Sequence, residues 1–174
     1  TITQGLVFTQ DTGSTLEVGS LNQNGVGNAV NNVIGDDITS DQAEGITFGE
    51  QVILTSTVLG DTIVFDSSTN NGNITFDDTF RAGAGVSISN TANEENIRLV
   101  AGLDAEDPLT SDITVDGAIN LGAGAPFVGT GDIIITSGDL VTFNGPVNAE
   151  RFQQDAASLA GVTTFNELFN FTSQ

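Results

Sequence analysis

Residues 139–171 read DLVTFNGPVNAERFQQDAASLAGVTTFNELFNF and contain the triplet Thr-Phe-Asn twice. The first copy spans residues 142–144 and the second spans residues 164–166, so Phe143 and Phe165 lie 22 positions apart (165 − 143 = 22). A recurrence at about 20 to 50 residues is typical of solenoid proteins, because one coil cannot bury its apolar face alone. The repeated triplet therefore predicts two successive coils whose Phe rings stack in one core.

Three further Phe residues follow a Thr or Val and extend this pattern towards the N-terminus. Phe48, Phe65 and Phe76 are separated by 17 and then 11 residues (65 − 48 = 17, 76 − 65 = 11). The two gaps add up to one period if they are two sides of the same coil. At about 22 residues a coil and about 4.8 Å between stacked strands, the chain would form roughly eight coils and a rod about 40 Å long.

Short apolar runs, rich in β-branched and aromatic residues and bounded by Gly, Asn, Asp or Ser, recur along the chain and predict strands. They occupy residues 6–9, 45–48, 51–58, 61–65, 73–76, 86–89, 97–100, 112–115, 118–121, 132–136, 140–143 and 162–165. This pattern predicts an all-β protein. A parallel β-helix (β-solenoid) fits the spacing and the continuous apolar runs, and an antiparallel β-sandwich is the alternative.

Two segments depart from this strand pattern. Residues 22–45 are polar and rich in Gly and Asn, which predicts a long loop or irregular coils. Residues 148–161 could form a helix with Asn148 as N-cap and Gly161 just past its end, although strands are favoured there. We therefore expect a single β domain over residues 1–174, with an irregular part at 1–45, a strand-repeat region at 46–166 and an apolar C-terminal tail at 167–174.

The charge of the chain excludes several classes of partner. Three basic residues, all Arg, stand against 23 acidic residues, which gives a net charge of −20. Such a surface repels the phosphates of nucleic acids and the headgroups of anionic membranes. Membrane insertion is not expected either, because no apolar run approaches the ~20 residues needed to span a bilayer.

The missing residue types argue against an enzyme. The chain has no His, Cys, Tyr or Trp, so the commonest general base is absent and the Tyr and Trp rings that could hold a sugar are missing. The abundant Ser and Thr hydroxyls lack a base that could activate them. The chain also begins at Thr1 and has no Met, which leads us to expect a processed product or a piece of a longer protein.

Clusters of carboxylates are the candidate metal site. Asp36 and Asp37 form one cluster, and Asp104, Glu106 and Asp107 form the other. Oxygen ligands of this kind suit Ca²⁺, whereas the alternative interpretation is a pair of solvated turns. We carry calcium binding forward as a hypothesis.

The strand repeats resemble a known family. GNITFDDTFRAGAGVSI (residues 72–88), SDITVDGAINLGAGAPFVGTGDIIIT (111–136) and GDLVTFNGPVNAERFQQDAASLAGVTTFNE (138–167) are similar to repeats of filamentous-haemagglutinin-like and autotransporter-like bacterial surface proteins. The resemblance covers residues 46–166 and implies a secreted right-handed parallel β-helix that serves as a stalk, an adhesin or a surface coat.

The function expected from these observations is structural. We expect a non-enzymatic subunit of an extracellular bacterial fibre, sheath or surface layer, secreted to the cell surface. Its terminal strands would join copies into a homo-oligomeric head-to-tail filament or layer. The alternative is an adhesin module of a large secreted surface protein that binds glycans.

Overall fold

The computed structural model of the protein describes residues 2–4, 9–23, 32–77, 86–91, 94–102, 111–122, 130–155 and 162–172, and the statements below concern these residues. They contain twenty strands of two to five residues and one 3₁₀ helix, Ser68–Asn70. The strands fall into three sheets, which we call sheets A, B and C in the order in which the chain visits them. Each circuit through the three sheets is one coil.

Sheet A contains seven strands, one from each coil: β1 (Ile2–Gln4), β4 (Leu21–Gln23), β7 (Ile46–Phe48), β10 (Ile74–Phe76), β13 (Ile113–Val115), β16 (Leu140–Phe143) and β19 (Val162–Phe165). Sheet B also contains seven: β2 (Thr9–Gln10), β5 (Asn32–Ile34), β8 (Val52–Leu54), β11 (Ile88–Ser89), β14 (Ile119–Asn120), β17 (Val147–Ala149) and β20 (Phe169–Phe171). Sheet C contains six: β3 (Leu16–Val18), β6 (Ile38–Ser40), β9 (Thr62–Asp66), β12 (Asn96–Val100), β15 (Ile133–Ser137) and β18 (Phe152–Gln154).

Neighbouring strands in every sheet come from successive coils and run parallel. In sheet A, for example, Ile46 pairs with Ile74 and Ile74 pairs with Ile113. Three parallel sheets whose strand order follows the chain define a parallel β-solenoid. The prediction of a β-helix is confirmed, and the antiparallel sandwich is wrong, since each described strand pair is parallel.

The coils differ in length, which explains why the sequence period is loose. The coil from Ile46 to Ile74 takes 28 residues (74 − 46 = 28), whereas the next one, from Ile74 to Ile113, takes 39 (113 − 74 = 39). The last described step, from Phe143 to Phe165, takes 22 (165 − 143 = 22). Sheets A and B each contain seven described strands rather than the predicted eight coils, because the longer coils use more than 22 residues.

The core lies inside the three sheets and consists of apolar columns that run along the stack. In sheet A one column contains Ile46, Ile74 and Ile113, each with no exposed surface. Phe48 and Phe76 stack face to face at 5.7 Å between ring centroids, and Phe65 from sheet C meets both rings edge-on. Phe65 is thus the second side of one coil, as the short gaps in the sequence predicted.

The repeated Thr-Phe-Asn triplet marks two successive coils. Phe143 in β16 pairs with Phe165 in β19, and their rings stack at 5.0 Å with an interplanar angle of 13°. Phe143 is buried, and Phe165 is half-buried in the last described coil. This prediction is confirmed.

The N-terminal part is more regular than predicted. The segment expected to be a loop or irregular coils contains β5 and β6, and the last two residues of β4 precede them. The strand pattern is weak here because amides occupy core positions. Gln23 and Asn32 are buried, and Asn32 Nδ2 donates to Gln23 Oε1 at 3.1 Å and to the Glu50 carbonyl at 3.2 Å.

The described part of the segment considered as a helix, residues 148–155, contains strands and no helix. Asn148 lies in β17, and residues 152–154 form β18, which pairs with β15. The strands of the preceding coil provide hydrogen-bond partners for this backbone, whereas a short helix without packing contacts is only marginally stable. The apolar tail also contains a strand, β20, which pairs with β17.

Candidate functional site

The last described coil exposes side chains that belong to core columns. Phe169 follows Val147 in register and Phe171 follows Ala149. Val147 is 2% exposed, whereas Phe169 is 57% exposed. The same residue position is therefore core in one coil and surface in the next, because no described coil covers β19 and β20. An unpaired strand edge with exposed apolar side chains is a surface suited to pairing with another chain.

Further apolar side chains surround this edge. Leu168 is 83% exposed, Val162 is 63% exposed, and Leu140, which pairs with Val162, is 44% exposed. Beneath them Phe143, Phe152 and Phe165 form a cluster with centroid distances of 5.0 to 6.1 Å. We call β19 and β20, with Leu168 between them, the terminal edge.

Two polar ladders reach the terminal edge on the outside of the solenoid. In sheet B, Asn148 Nδ2 donates to Asn120 Oδ1 at 3.0 Å, and Asn170 Nδ2 donates to Asn148 Oδ1 at 3.2 Å. We call these three residues the asparagine ladder. Beside sheet A, Asn144 Nδ2 donates to Asp116 Oδ1 at 2.5 Å and Asn166 repeats the contact to Asn144 at 2.6 Å. Each ladder links the three last coils of its sheet.

The sequence analysis missed these ladders, although the spacing contains a signal. Asn120, Asn148 and Asn170 are separated by 28 and 22 residues (148 − 120 = 28, 170 − 148 = 22). Asp116, Asn144 and Asn166 have the same two spacings. Polar residues that repeat at the interval of the core Phe residues indicate an outward row on the same coils.

A row of threonines lies on the outward face of sheet A. Adjacent strands bring these residues into register, and each is half-buried: Thr47, Thr75, Thr114, Thr142 and Thr164. β-Branched residues fit a pleated sheet surface, which accounts for their repetition. Together with the row formed by Asp116, Asn144 and Asn166, they give this face a regular polar surface.

The structure places two of the five predicted metal ligands. Asp36 Oδ1 accepts the Asp37 N–H at 2.7 Å and Asp36 Oδ2 accepts the Gly13 N–H at 2.6 Å. Asp37 Oδ1 accepts the Val64 N–H at 2.8 Å. Three of the four carboxylate oxygens thus bind backbone groups. Among the described residues no three acidic side chains form a group that could hold a metal ion. Asp104, Glu106 and Asp107 lie outside the described residues.

Burial changes the proton affinity of two aspartates at the corners of the coils. Burial raises the pKa of Asp37 above 3.8, the neighbouring Asp36 and Asp61 raise it further, and the hydrogen bond from Val64 opposes the shift. Burial likewise raises the pKa of Asp112, with Asp139 adding to the shift and the hydrogen bond from Leu140 opposing it. Each carboxylate accepts a backbone N–H from the next coil, that of Val64 for Asp37 and that of Leu140 for Asp112.

The arginines that the structure describes have different surroundings. Arg151 forms an exposed two-pronged ion pair with Asp132, with Nη2–Oδ2 at 2.6 Å and Nε–Oδ1 at 3.1 Å. Arg98 lies in the middle of β12, and its Nε is buried without a hydrogen-bond partner. Of these two arginines, Arg151 thus pairs with a neighbouring carboxylate.

A cavity of about 340 Å³ lies beside β3 and β6, lined by Glu17, Val18, Gly19, Thr39 and Asp41. Its two charged residues are both acidic, which disfavours phosphate and carboxylate ligands. The described part of the chain contains no helix that is long and apolar enough to cross a membrane.

The fold defines a class of protein, the parallel β-solenoid, and its last described coil exposes apolar side chains. Comparison with protein-family models, with curated proteins and with solved structures finds no match. The resemblance to bacterial surface-protein repeats therefore stays a prediction from the sequence.

Proposed function

We propose that this protein is a non-enzymatic structural subunit of an extracellular bacterial fibre, sheath or surface layer, and that it assembles through the strands of its terminal coils. The three stacked parallel sheets carry this proposal, because a solenoid grows by the addition of coils. An added coil would bury the Phe side chains and pair the open backbone of β19 and β20.

The composition supports a structural role outside the cell. The chain has no Cys, Met, Trp or Tyr, which are the side chains most easily oxidised. Its only basic residues are three arginines, so proteases that cut after Lys or Arg find few sites. The net charge of −20 keeps subunits soluble until a specific contact forms.

Removal of Leu168 and β20 tests the proposal. We expect the chain without residues 168–174 to stay monomeric in analytical ultracentrifugation, and the full chain to form larger species as its concentration rises. Electron micrographs of the full chain should then show elongated particles. Full-length protein that stays monomeric at high concentration would contradict the proposal.

Binding of glycans by an adhesin module is the second candidate function. The outward face of sheet A, with its threonine row and the row Asp116, Asn144 and Asn166, favours it, because aligned hydroxyl and amide groups can hydrogen-bond sugar hydroxyls. Glycan-array binding that Thr142→Val and Asn144→Ala weaken would support this candidate. Binding that these variants leave unchanged would argue against this face.

A further inference from the structure

The row of Asp116, Asn144 and Asn166 requires an amide at position 144. Asn144 Nδ2 donates to Asp116 Oδ1 at 2.5 Å, and Asn144 Oδ1 accepts a hydrogen bond from Asn166 Nδ2 at 2.6 Å. A primary amide has a donor and an acceptor on separate atoms, which a carboxylate lacks. The residue that joins the three coils on the outside of the solenoid is therefore an asparagine.

The stacking of the coils requires a glycine at the next position. Gly145 is buried, and a Cβ atom there would lie 2.4 Å from the carbonyl group of Gly117 in the preceding coil. Two stretches of backbone thus approach each other at a distance that only glycine allows. The two packing requirements together place the dipeptide Asn-Gly at residues 144–145.

Asn-Gly is a chemically labile dipeptide, because a residue without a Cβ atom leaves its backbone nitrogen free to approach the preceding side chain. The nitrogen of the glycine forms a bond to Cγ of the asparagine, the bond between Cγ and Nδ2 breaks, and the displaced amide leaves as ammonia with the proton of the glycine N–H. Water then opens the cyclic imide at either carbonyl, which gives aspartate or isoaspartate.

The surroundings of Asn144 favour this reaction. Asn144 is exposed, so that water reaches it. The N–H of Gly145 donates no hydrogen bond to any residue that the structure describes, so no such bond has to break before the nitrogen reacts. The hydrogen bond from Asn166 to Asn144 Oδ1 stabilises the negative charge that develops on this oxygen when Cγ is attacked.

The described residues contain one other Asn-Gly dipeptide, Asn71-Gly72, and it is held differently. The N–H of Gly72 donates to the Ser67 carbonyl at 2.8 Å, and imide formation would have to break this bond. Asn166 provides a second comparison, since it belongs to the same row as Asn144 but precedes Glu167, whose side chain hinders the attack. The third Asn-Gly dipeptide, at residues 24–25, lies outside the described residues.

We propose that Asn144 is a site of spontaneous deamidation, at which the row of Asp116, Asn144 and Asn166 breaks as the protein ages. Either product carries a carboxylate in place of the amide that donates to Asp116, so a hydrogen bond is replaced by repulsion between two negative charges. Isoaspartate also adds a main-chain atom at a corner that has no room for a Cβ atom. The change weakens the contact between two coils of a single chain and does not depend on the assembly proposed above.

Incubation of the full chain in a mildly alkaline buffer, followed by peptide mapping with mass spectrometry, tests the site. Asn144 should convert faster than Asn71 and Asn166, and enzymatic methylation of isoaspartate should label the same peptide. A synthetic peptide of residues 139–149 gives the rate without the fold. The proposal is overturned if Asn144 stays intact while this peptide converts, or if Asn144 reacts no faster than Asn71 and Asn166.

The variant Asn144→Asp tests the effect of the product on the fold. Asn148→Asp is the matched control, because Asn148 donates to the neutral Asn120 Oδ1 at 3.0 Å and accepts a hydrogen bond from Asn170. At pH 7 the urea unfolding midpoint of Asn144→Asp should be lower than that of Asn148→Asp. The difference should narrow as the pH falls to about 4, where aspartates become protonated. Equal midpoints at pH 7 would overturn the proposed breakage of the row.

Discussion

Gly117 and Gly145 occupy the same corner of two successive coils, where the chain turns from sheet A to sheet B. A Cβ atom on Gly145 would lie 2.4 Å from the backbone of Gly117, and one on Gly117 would lie 2.3 Å from the backbone of Val86. The backbone at this corner cannot shift as a flexible side chain can, because the hydrogen-bonded strands before and after it hold it in place. Glycine at this corner therefore allows the coils to approach to the strand spacing.

Replacing Gly145 by Ala should destabilise the protein by about 1–3 kcal/mol, the range for overpacking a well-packed site. Chemical denaturation followed by circular dichroism would measure the change. Gly138→Ala is the control, because its nearest atom would be the flexible Ile113 Cδ1 at 3.1 Å. A Gly145→Ala variant as stable as Gly138→Ala would show that the corner tolerates a side chain.

Asp37 should make stability depend on pH in the acid range. Its pKa is raised by burial, so the carboxylate weakens folding at neutral pH. The stabilisation from its protonated form is complete below about 3.8, the unfolded value, and is lost as pH rises through the folded pKa. Asp37→Asn removes the charge and keeps an acceptor for the Val64 N–H.

The variant Asp37→Asn should therefore be at least as stable as the natural chain at pH 7, and this advantage should vanish near pH 4. Urea unfolding midpoints at several pH values would measure the difference. Asp11→Asn, at an exposed position, serves as the control for the loss of one negative charge. A difference between Asp37→Asn and the natural chain that does not change with pH would contradict the expectation.

At the scale of strands and coils, the alternation of apolar residues decides which strands can be predicted from the sequence. Strands with an alternating apolar pattern, such as Ile74–Phe76 and Ile113–Val115, can be placed from the sequence because each buried residue is apolar. β5 could not be predicted in this way, because Asn32 is polar and is typical of a loop. Its burial is explained by its side-chain hydrogen bond to Gln23 Oε1, which the sequence does not show. Coil lengths from 19 to 39 residues (21 − 2 = 19, 113 − 74 = 39) further obscure the register.

The terminal edge shows what a sequence pattern alone does not reveal. Phe143 and Phe165 are predicted as core residues, whereas Phe169 falls in the predicted apolar tail, and only the stacking order shows that it follows the buried Val147 in register. The asparagine ladder could have been predicted from its spacing. Its hydrogen bonds depend on the exact register of β14, β17 and β20, which the uneven coils hide.

Two Phe→Ala variants should separate the closed core from the terminal edge. Phe143 is 1% exposed, and its truncation should cost about 3–5 kcal/mol. Phe169 is 57% exposed, so Phe169→Ala should cost well under half as much when measured on dilute, monomeric protein. Equal losses in denaturant unfolding would mean that the edge is covered in the single chain.

At the scale of the whole molecule, the net charge of −20 opposes folding through repulsion among carboxylates. Salt shortens the range of this repulsion to about 8 Å at 0.15 M ionic strength. The unfolding temperature should therefore rise when sodium chloride is added to a low-salt buffer. Arg151→Ala should reduce stability little, because its ion pair with Asp132 lies at the surface.

Calcium should stabilise the protein beyond this screening if the acidic cluster at Asp104, Glu106 and Asp107 binds it. A cation at 100 times its dissociation constant adds about 2.7 kcal/mol to folding. We expect a higher melting temperature with calcium than with magnesium at equal ionic strength, reversed by a chelator. The combined variant Asp104→Asn/Glu106→Gln/Asp107→Asn should lose this excess, whereas Asp36→Asn should keep it, since both Asp36 oxygens accept backbone N–H groups. Equal effects of calcium and magnesium would leave screening as the whole explanation.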